Sequence, residues 1–444
     1  MFSDRDLKKL LIPLVVEQIL TALMGTMDTM MVSRVSSAAI SGVSLVDSID
    51  KLVIFLFSAM ATGGTIICSQ YIGHRNREAA NEAGRQVLLS SLVLSLIVAA
   101  ACFVLRKVLL RLIFGSVEDA VMASAVDYFS IVILGYPFLT LFSAGGALYR
   151  AGGNSRLPMV VSVISNAVNI AGNAVLIFVF HLGAAGAAIA TVFSQFVSAV
   201  VILICLRRPG QVIDVGPYLK IRPDLRLIWR VLCVGIPTGV ENAMFQFGKL
   251  IVQSTVSTLG TVAMASNALV VTVELFSSMP SMAIGQGLVT VAGQCVGAGR
   301  IDEARGYIKK LTLWSFIILF ISNWALYFAT PLITRAAGAE PDVAALTVRT
   351  VFLISLLKPF IWTIAFTPGN GMRAAGDVRY SMILSTVSMW IFRVGLTTIL
   401  CRFCGVGLVG IWCGYFVDWA VRSIVFTLRY RSGKWTRHQV IDKQ

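Results

Sequence analysis

Two carboxylates and three amides stand out because their surroundings are so apolar. Glu17 and Asp28 lie eleven residues apart in the stretch 10–33, which puts both near one face of a helix. Three amides recur at i, i+3 and i+7 and therefore share one face of a second helix: Asn166, Asn169 and Asn173. An ionisable group within a membrane span costs several kcal/mol, so it indicates a functional site. These residues are candidates for binding a proton or a cation.

The elements that must position them are membrane-spanning helices. The chain is 57% hydrophobic and 13% charged, with a mean hydropathy of +0.82, which is typical of a polytopic membrane protein. We predict an all-α fold with twelve transmembrane helices, near 10–33, 44–71, 85–111, 121–148, 158–180, 184–206, 228–258, 263–296, 308–333, 344–371, 379–401 and 407–429.

The net charge of +15 does not point to nucleic acid, because about 25 of the 37 Lys and Arg residues fall in alternate loops and at the ends of the chain. This distribution predicts that both termini are cytoplasmic. The first apolar stretch is long and charged, so we expect it to be retained rather than cleaved. The predicted location is the bacterial inner (cytoplasmic) membrane.

The sequence is a duplication. A shift of 224 residues carries Pro13 and Glu17 onto Pro237 and Glu241, and Asp50 onto Glu274. Six helices per half is an even number, so the halves form a parallel repeat with two pseudo-symmetric six-helix bundles. We predict an N-terminal lobe over 1–206, a cytoplasmic linker over 207–226, a C-terminal lobe over 227–430 and a cytoplasmic tail over 431–444.

Enzyme signatures are missing from the sequence. It has no Walker A motif, no G-x-S-x-G and no His set at metal-ligand spacing, and Cys401-x-x-Cys404 lacks a second pair to complete a metal site. We therefore expect no enzymatic activity, no metal and no cofactor. Transport would then be driven by an ion gradient, with a proton or a sodium ion as the coupling ion.

Asp28 is the leading coupling candidate, because it lies deep in the first span with no basic residue close in sequence. The alternative is an acid that is hydrogen-bonded to a neighbouring helix. The Asn face could complete a polar pocket with Asp28, or could simply join two helices. Glu241 could bind a cation or satisfy backbone groups freed by Pro237, with Lys249 or Lys358 as its counter-charge.

Further residues could line a substrate cavity, in which aromatic walls and a few charges would hold a lipophilic cation. Asp50 and Glu274 near the ends of helices two and eight suit a gate or rim, or plain interfacial solvation. Arg393 in mid-span must face the cavity or a carboxylate. The remaining cavity candidates are Asn166, Tyr136, Phe245, Lys249 and Trp362.

The segments IPLVVEQ…MDTMMVS, ATGGTIICSQYIGHRNREAA and GAAGAAIAT resemble the multidrug and toxic compound extrusion (MATE) family. The resemblance covers both halves and implies two bundles around a V-shaped cavity. It also implies export of lipophilic, often cationic compounds in exchange for protons or sodium ions. Asp28, Asn169 and Glu241 stand where the family has functional residues. Asn173 stands where some members have Asp, and the companion acid on helix ten is absent, with Lys358 in that stretch.

The sequence therefore predicts a secondary active antiporter that exports lipophilic cationic drugs or metabolites by alternating access. Its partners would be small molecules and membrane lipid, and it would function as a monomer. The alternative is a flippase for a lipid-linked oligosaccharide or related amphiphile of the same broad superfamily. Such proteins have a strongly cationic cavity, whereas the charges within the spans here are mixed. A passive channel or a membrane scaffold does not explain why acidic residues recur at equivalent depths in the two halves of a duplicated chain.

Overall fold

A computed structural model describes residues 1–32, 37–115, 118–208, 210–218, 221–438 and 440–441. Within these ranges the side chains of residues 26–30, 32, 37–40 and 120 are not described. The predicted coupling residue Asp28 lies on the first helix, but its side chain is outside the described part of the chain.

The described residues are almost entirely helical and form no β-strand. The first half contains α1 (Asp4–Val32), α2 (Ser37–Gly73), α3 (Arg77–Phe114), α4 (Asp119–Val132), α5 (Tyr136–Ala151), α6 (Arg156–Asn173) and α7 (Gly183–Leu206). The second half contains α8 (Leu225–Ser257), α9 (Thr261–Gly297), α10 (Ile301–Ala336), α11 (Pro341–Ala374), α12 (Val378–Ser388), α13 (Thr397–Arg402) and α14 (Leu408–Arg431).

Two pairs of these helices each form one continuous rod. A 3₁₀ turn over Ile133–Gly135 joins α4 to α5, and a π-helical segment over Met389–Leu396 joins α12 to α13. A second π-helical segment, Ala174–Val179, extends α6. Counted in this way, the described residues form twelve long helical rods, one at each predicted span, and the all-α prediction is confirmed.

Ten of the twelve rods are long and apolar enough, by length and composition, to cross a membrane, counted over the described residues. The two others are α1 and α8, which are equivalent in the repeat. Each of these two contains a proline within the helix, Pro13 or Pro237, and a buried glutamate. The proline and the buried glutamate are therefore features that the first helices of the two halves share.

The packing divides the chain into two compact units, Phe2–Gly239 and Val240–Gln444, the second of which also includes Met1. We call these the N-terminal and C-terminal units. The segment predicted to be a linker packs on the N-terminal unit, where the Arg77 guanidinium donates to the backbone carbonyl of Gln211 at 2.7 Å. The predicted domain limits stay a prediction.

Small residues allow close helix approach within the N-terminal unit. A Cβ placed on Gly63 of α2 would lie 2.8 Å from the carbonyl oxygen of Val231 on α8, so no larger residue fits there. A Cβ on Gly186 would lie 3.1 Å from Leu176. Aromatic side chains fill the cores, including Phe57 and Phe129 in the N-terminal unit and Trp412 in the C-terminal unit.

Candidate functional site

Helices α1 and α8, the first helices of the two halves, carry the same kind of ion pair. In the N-terminal unit the Arg150 guanidinium on α5 donates to the Glu17 carboxylate on α1 at 3.2 Å. In the C-terminal unit Arg373 on α11 pairs with Glu241 on α8 in the same way. The pairs occupy equivalent repeat positions, and the four side chains are 9–19% exposed. Each glutamate was a candidate for ion coupling, and the structure places each against an arginine.

The two pairs also leave the same atom unsatisfied. Oε2 of Glu17 and Oε2 of Glu241 are both buried with no hydrogen-bond partner among the described residues. A buried carboxylate oxygen without a donor is costly, so each site retains capacity to accept another hydrogen bond. The counter-charge of Glu241 is Arg373, whereas Lys358 pairs elsewhere in the unit.

A second pair of equivalent contacts differs in chemistry. In the N-terminal unit the Tyr136 hydroxyl donates to Asp50 Oδ1 at 2.5 Å. In the C-terminal unit the equivalent acid, Glu274, binds Lys358 Nζ at 2.8 Å. Lys358 is fully buried, and its ammonium also donates to two serine hydroxyls of α9.

The sequence contains a signal for these partners that we missed. Tyr136 and Lys358 are each followed by Pro-Phe, at nearly the repeat shift, so they are equivalent residues. The acid's partner is therefore a neutral phenol in one unit and an ammonium ion in the other. Tyr136 was expected as a cavity wall and Asp50 as a rim group; the structure brings them into direct contact.

The three amides of α6 make hydrogen bonds within the N-terminal unit. Asn169 Nδ2 donates to Thr191 Oγ1 of α7, and Asn173 Nδ2 donates to Asn169 Oδ1, both at 3.2 Å. Asn166 Nδ2 donates to the backbone carbonyl of Leu20 on α1, also at 3.2 Å. These bonds hold α6 against α1 and α7. The proposed pocket with Asp28 stays a prediction.

The C-terminal unit has a charged cluster at the corresponding place. Arg393, predicted to face a cavity or a carboxylate, binds Asp418 Oδ2 at 2.6 Å, and Arg422 binds Asp418 Oδ1 at 2.9 Å. All three side chains are at most 2% exposed. The centre of the Phe245 ring lies 4.7 Å from the Arg393 guanidinium and 4.8 Å from that of Arg422, so one aromatic ring contacts both cations.

Sequence reasoning missed Asp418, although its spacing four residues before Arg422 on α14 is the spacing of an ion pair on one helix face. The repeat shift of 224 relates this cluster to neutral residues in the N-terminal unit. Asn169, Ser194 and Ser198, all buried, stand where the C-terminal unit has Arg393, Asp418 and Arg422.

Aromatic rings surround the charged cluster of the C-terminal unit. Trp362 stacks on Phe366 with ring centroids 4.7 Å apart, and Phe366 meets Phe245 edge to face. Lys249, which is exposed, lies 5.9 Å from the Phe245 ring. Four of the predicted cavity residues, Phe245, Lys249, Trp362 and Arg393, therefore lie in one region of this unit.

The chain resembles proteins of known classes along its whole length. The MatE family model matches residues 13–175 and 237–399, one match in each half. A probable multidrug resistance protein NorM of Thermotoga maritima is 28% identical over 447 residues, covering 99% of this chain and 95% of the relative. An uncharacterized transporter YisQ of Bacillus subtilis is 26% identical, covering 95% and 93%.

Solved structures have the same fold. One described as an outward-facing multidrug resistance MATE family transporter of the MOP superfamily superposes with a TM-score of 0.87 at 19% identity, covering 96% of this chain and 95% of that one. A MOP superfamily transporter from Pyrococcus furiosus, described as having a binding pocket of reverse polarity, gives 0.87 at 18% identity with the same coverage. Since both halves match the family model, the chain belongs to the MatE family, whose members are membrane transporters and not enzymes.

Proposed function

We propose that this protein is a secondary active antiporter that exports lipophilic cationic compounds in exchange for protons or sodium ions. It would act by alternating access as a monomer in the bacterial inner membrane, surrounded by lipid and with both termini cytoplasmic. Family membership and the multidrug resistance relatives support the transport class. The choice of coupling site comes from the carboxylates.

The observation that carries this proposal is the partner of Asp50. Five described carboxylate residues are buried: Glu17, Asp50, Glu241, Asp377 and Asp418. Among them, every one except Asp50 pairs with an arginine. A carboxylate already neutralised by a guanidinium gains little from a proton or a sodium ion. Asp50, which receives a hydrogen bond from the neutral phenol of Tyr136, can take either.

We therefore assign coupling to the N-terminal unit, through Asp50 together with Asp28 on α1. Asn169 and Asn173, which are bonded to each other on α6, would supply neutral oxygens for sodium coordination or a proton relay. Glu17 and Glu241 would act as structural members of their arginine pairs. The aromatic groups around Phe245 and Trp362 would contact the apolar part of a substrate.

The test is dye export by the purified protein in liposomes, with a proton gradient and a sodium gradient imposed separately. Asp50→Asn should abolish gradient-driven export while the protein still inserts and folds, and Asp28→Asn should do the same. Asp127→Asn, which changes an exposed carboxylate on α4, is the matched control and should export normally. Full export by Asp50→Asn would remove Asp50 from the coupling mechanism.

A second candidate function is movement of an anionic amphiphile such as a lipid-linked oligosaccharide. It is favoured by the basic excess of the C-terminal unit, where the partly or fully buried ion pairs of the spans contain four cations and three carboxylates. The same liposomes, loaded with a fluorescent anionic lipid instead of a cationic dye, separate the two functions. Gradient-independent movement of the anionic lipid, with no dye export, would favour the flippase.

A further inference from the structure

A four-residue motif occurs twice, and each copy follows the last helix of one half. Gln-Val-Ile-Asp occupies residues 211–214 after α7 and residues 439–442 after α14. The copies are 228 residues apart, four more than the repeat shift of 224. The 3₁₀ turn Lys434–Arg437, which is four residues long, lies between α14 and the second copy. The C-terminal segment is thus a repeat of the segment that follows α7.

The first copy is docked on the N-terminal unit. Ile213 is 3% exposed, and its Cγ2 lies 2.8 Å from the place where a Cβ on Gly84 of α3 would be. Val212 lies over the turn after α5, with its Cβ 3.1 Å from the Cβ position of Gly152. Two side chains of α3 hold the backbone: Arg77 donates to the Gln211 carbonyl at 2.7 Å, and Asn81 Oδ1 accepts from the Asp214 N–H at 2.8 Å.

The described residues of the second copy, Val440 and Ile441, pack on the C-terminal unit. Ile441 is 4% exposed. Val440 lies over the turn after α11, where a Cβ on Gly376 would overlap its Cγ2. Gly376 has φ of +97°, so a side chain there would meet backbone strain as well as this overlap.

His438, the residue before the second copy, contacts the acid that follows Gly376. Asp377, which is 3% exposed, accepts two hydrogen bonds from Arg429, at 2.8 and 3.0 Å, and lies 3.0 Å from His438 Nε2. Trp435 is fully buried, and its ring lies parallel to that of Tyr430. The segment is therefore an integral part of the C-terminal unit.

Each docked segment covers a turn that directly follows an ion-pair arginine. Arg150 lies two residues before Gly152, and Arg373 lies three residues before Gly376. Both arginines are in the last turn of their helix, so their position depends on how that helix end is held.

We propose that Val440 and Ile441 repeat the docking of Val212 and Ile213, and that each of these two pairs of residues positions the arginine before its turn, Arg150 against Glu17 and Arg373 against Glu241. Ile213 and Ile441 are the anchors, and Val212 and Val440 cover the turns. The glutamate–arginine pair of each half is then completed by a segment outside its six helices. This role is independent of the transported compound and of the coupling ion.

Hydrogen exchange of the full-length protein in detergent tests the docking. Ile441→Asp should raise exchange of the amides at 374–377 by about tenfold or more and leave 151–154 unchanged, because a buried carboxylate expels the segment. Ile213→Asp should do the reverse. Arg437→Asp places the same residue at an exposed position of the same segment and should change neither turn. Unchanged exchange at 374–377 in Ile441→Asp, or equal loosening by Arg437→Asp, would overturn the proposal.

A double-mutant cycle tests the positioning role. If Ile441→Asp acts through Arg373, most of its effect on thermal stability should disappear when Glu241 is already Gln, since the pair can be lost only once. Fully additive effects would show that the segment does not position the pair. Should Ile441→Asp fail to fold, a chain that ends after Arg437 removes the second copy without burying a charge, and the same cycle applies.

Discussion

The N-terminal and C-terminal units bring the same pairs of repeat positions into contact but fill them with different chemistry. Glu17–Arg150 and Glu241–Arg373 are the same pair twice. Where the N-terminal unit has the Asp50–Tyr136 hydrogen bond, the C-terminal unit has the Glu274–Lys358 ion pair. Where the N-terminal unit has the Asn169–Thr191 hydrogen bond, the C-terminal unit has the Arg393 guanidinium over the Tyr415 ring.

The difference shows which contacts a duplicated fold retains and which it varies. The shared ion pair joins the first helix of each half to the end of the rod that carries its arginine, and it sits beside a docked segment in both. The interior contacts have diverged: in the described part of the chain, the N-terminal unit has the Asp50–Tyr136 and Asn169–Thr191 hydrogen bonds, whereas the C-terminal unit has charged clusters with one cation more than carboxylates. This difference supports the proposal that the coupling ion binds in the N-terminal unit.

The largest effect should come from Asp418. Asp418→Asn leaves Arg393 and Arg422 buried without a counter-charge, so we expect a loss of about 3–5 kcal/mol in the free energy of unfolding. The equivalent change in the other unit, Ser194→Ala, removes only one hydroxyl and should cost about 1 kcal/mol. Thermal unfolding in detergent measures both. Similar losses at the two positions would show that the charged cluster is not a separate feature of the C-terminal unit.

The next largest effect on stability should come from Lys358, and a smaller one from Tyr136, which occupies the equivalent position. Lys358→Met strands the Glu274 carboxylate and should cost about 3 kcal/mol. Tyr136→Phe removes one hydrogen bond to Asp50 and should cost about 1–2 kcal/mol. The same unfolding assay checks this order, and a larger loss for Tyr136→Phe would contradict it.

The shared ion pair should respond alike in both units. Glu17→Gln and Glu241→Gln each keep the shape of the side chain and remove the charge, so we expect similar losses of about 1–2 kcal/mol. Exchanging the partners, as in Glu241→Arg with Arg373→Glu, should recover part of the loss in the C-terminal unit. A large difference between the two single variants would mean that the pairs are not equivalent.

The smallest expected effect concerns the amide contact between α6 and α1. Asn166→Ala removes a hydrogen bond to the Leu20 carbonyl and should cost about 0.6 kcal/mol, the average for polar contacts between membrane helices. Asn169→Ala should cost more, because Asn169 is fully buried and bonds both Thr191 and Asn173. Equal losses would indicate that burial does not distinguish the two amides.

Much of the fold could be predicted from the sequence. Long apolar stretches must form helices in a membrane, because every backbone group has to be satisfied within the segment. The constant shift from Pro13 and Glu17 to Pro237 and Glu241 then fixes two equivalent halves. Arg393 was predicted to face the cavity or a carboxylate, and it binds Asp418.

The partners of the charged residues could not be predicted in the same way. The sequence suggested Lys249 or Lys358 as the counter-charge of Glu241, whereas the structure places Arg373, at the end of α11, against it. Asp50 and Tyr136 are 86 residues apart, and only the packing of α2 against α5 joins them.

By itself the sequence determined a helical membrane protein built as a duplication, because hydropathy and a fixed repeat shift are local and additive properties. Tertiary structure alone decided which acids are neutralised by arginine and which acid meets a phenol. It also decided that the Val-Ile segment after α14 is docked. These contacts join helices that are far apart in the sequence. The pattern of residue types along the chain does not specify which helix faces pack against each other.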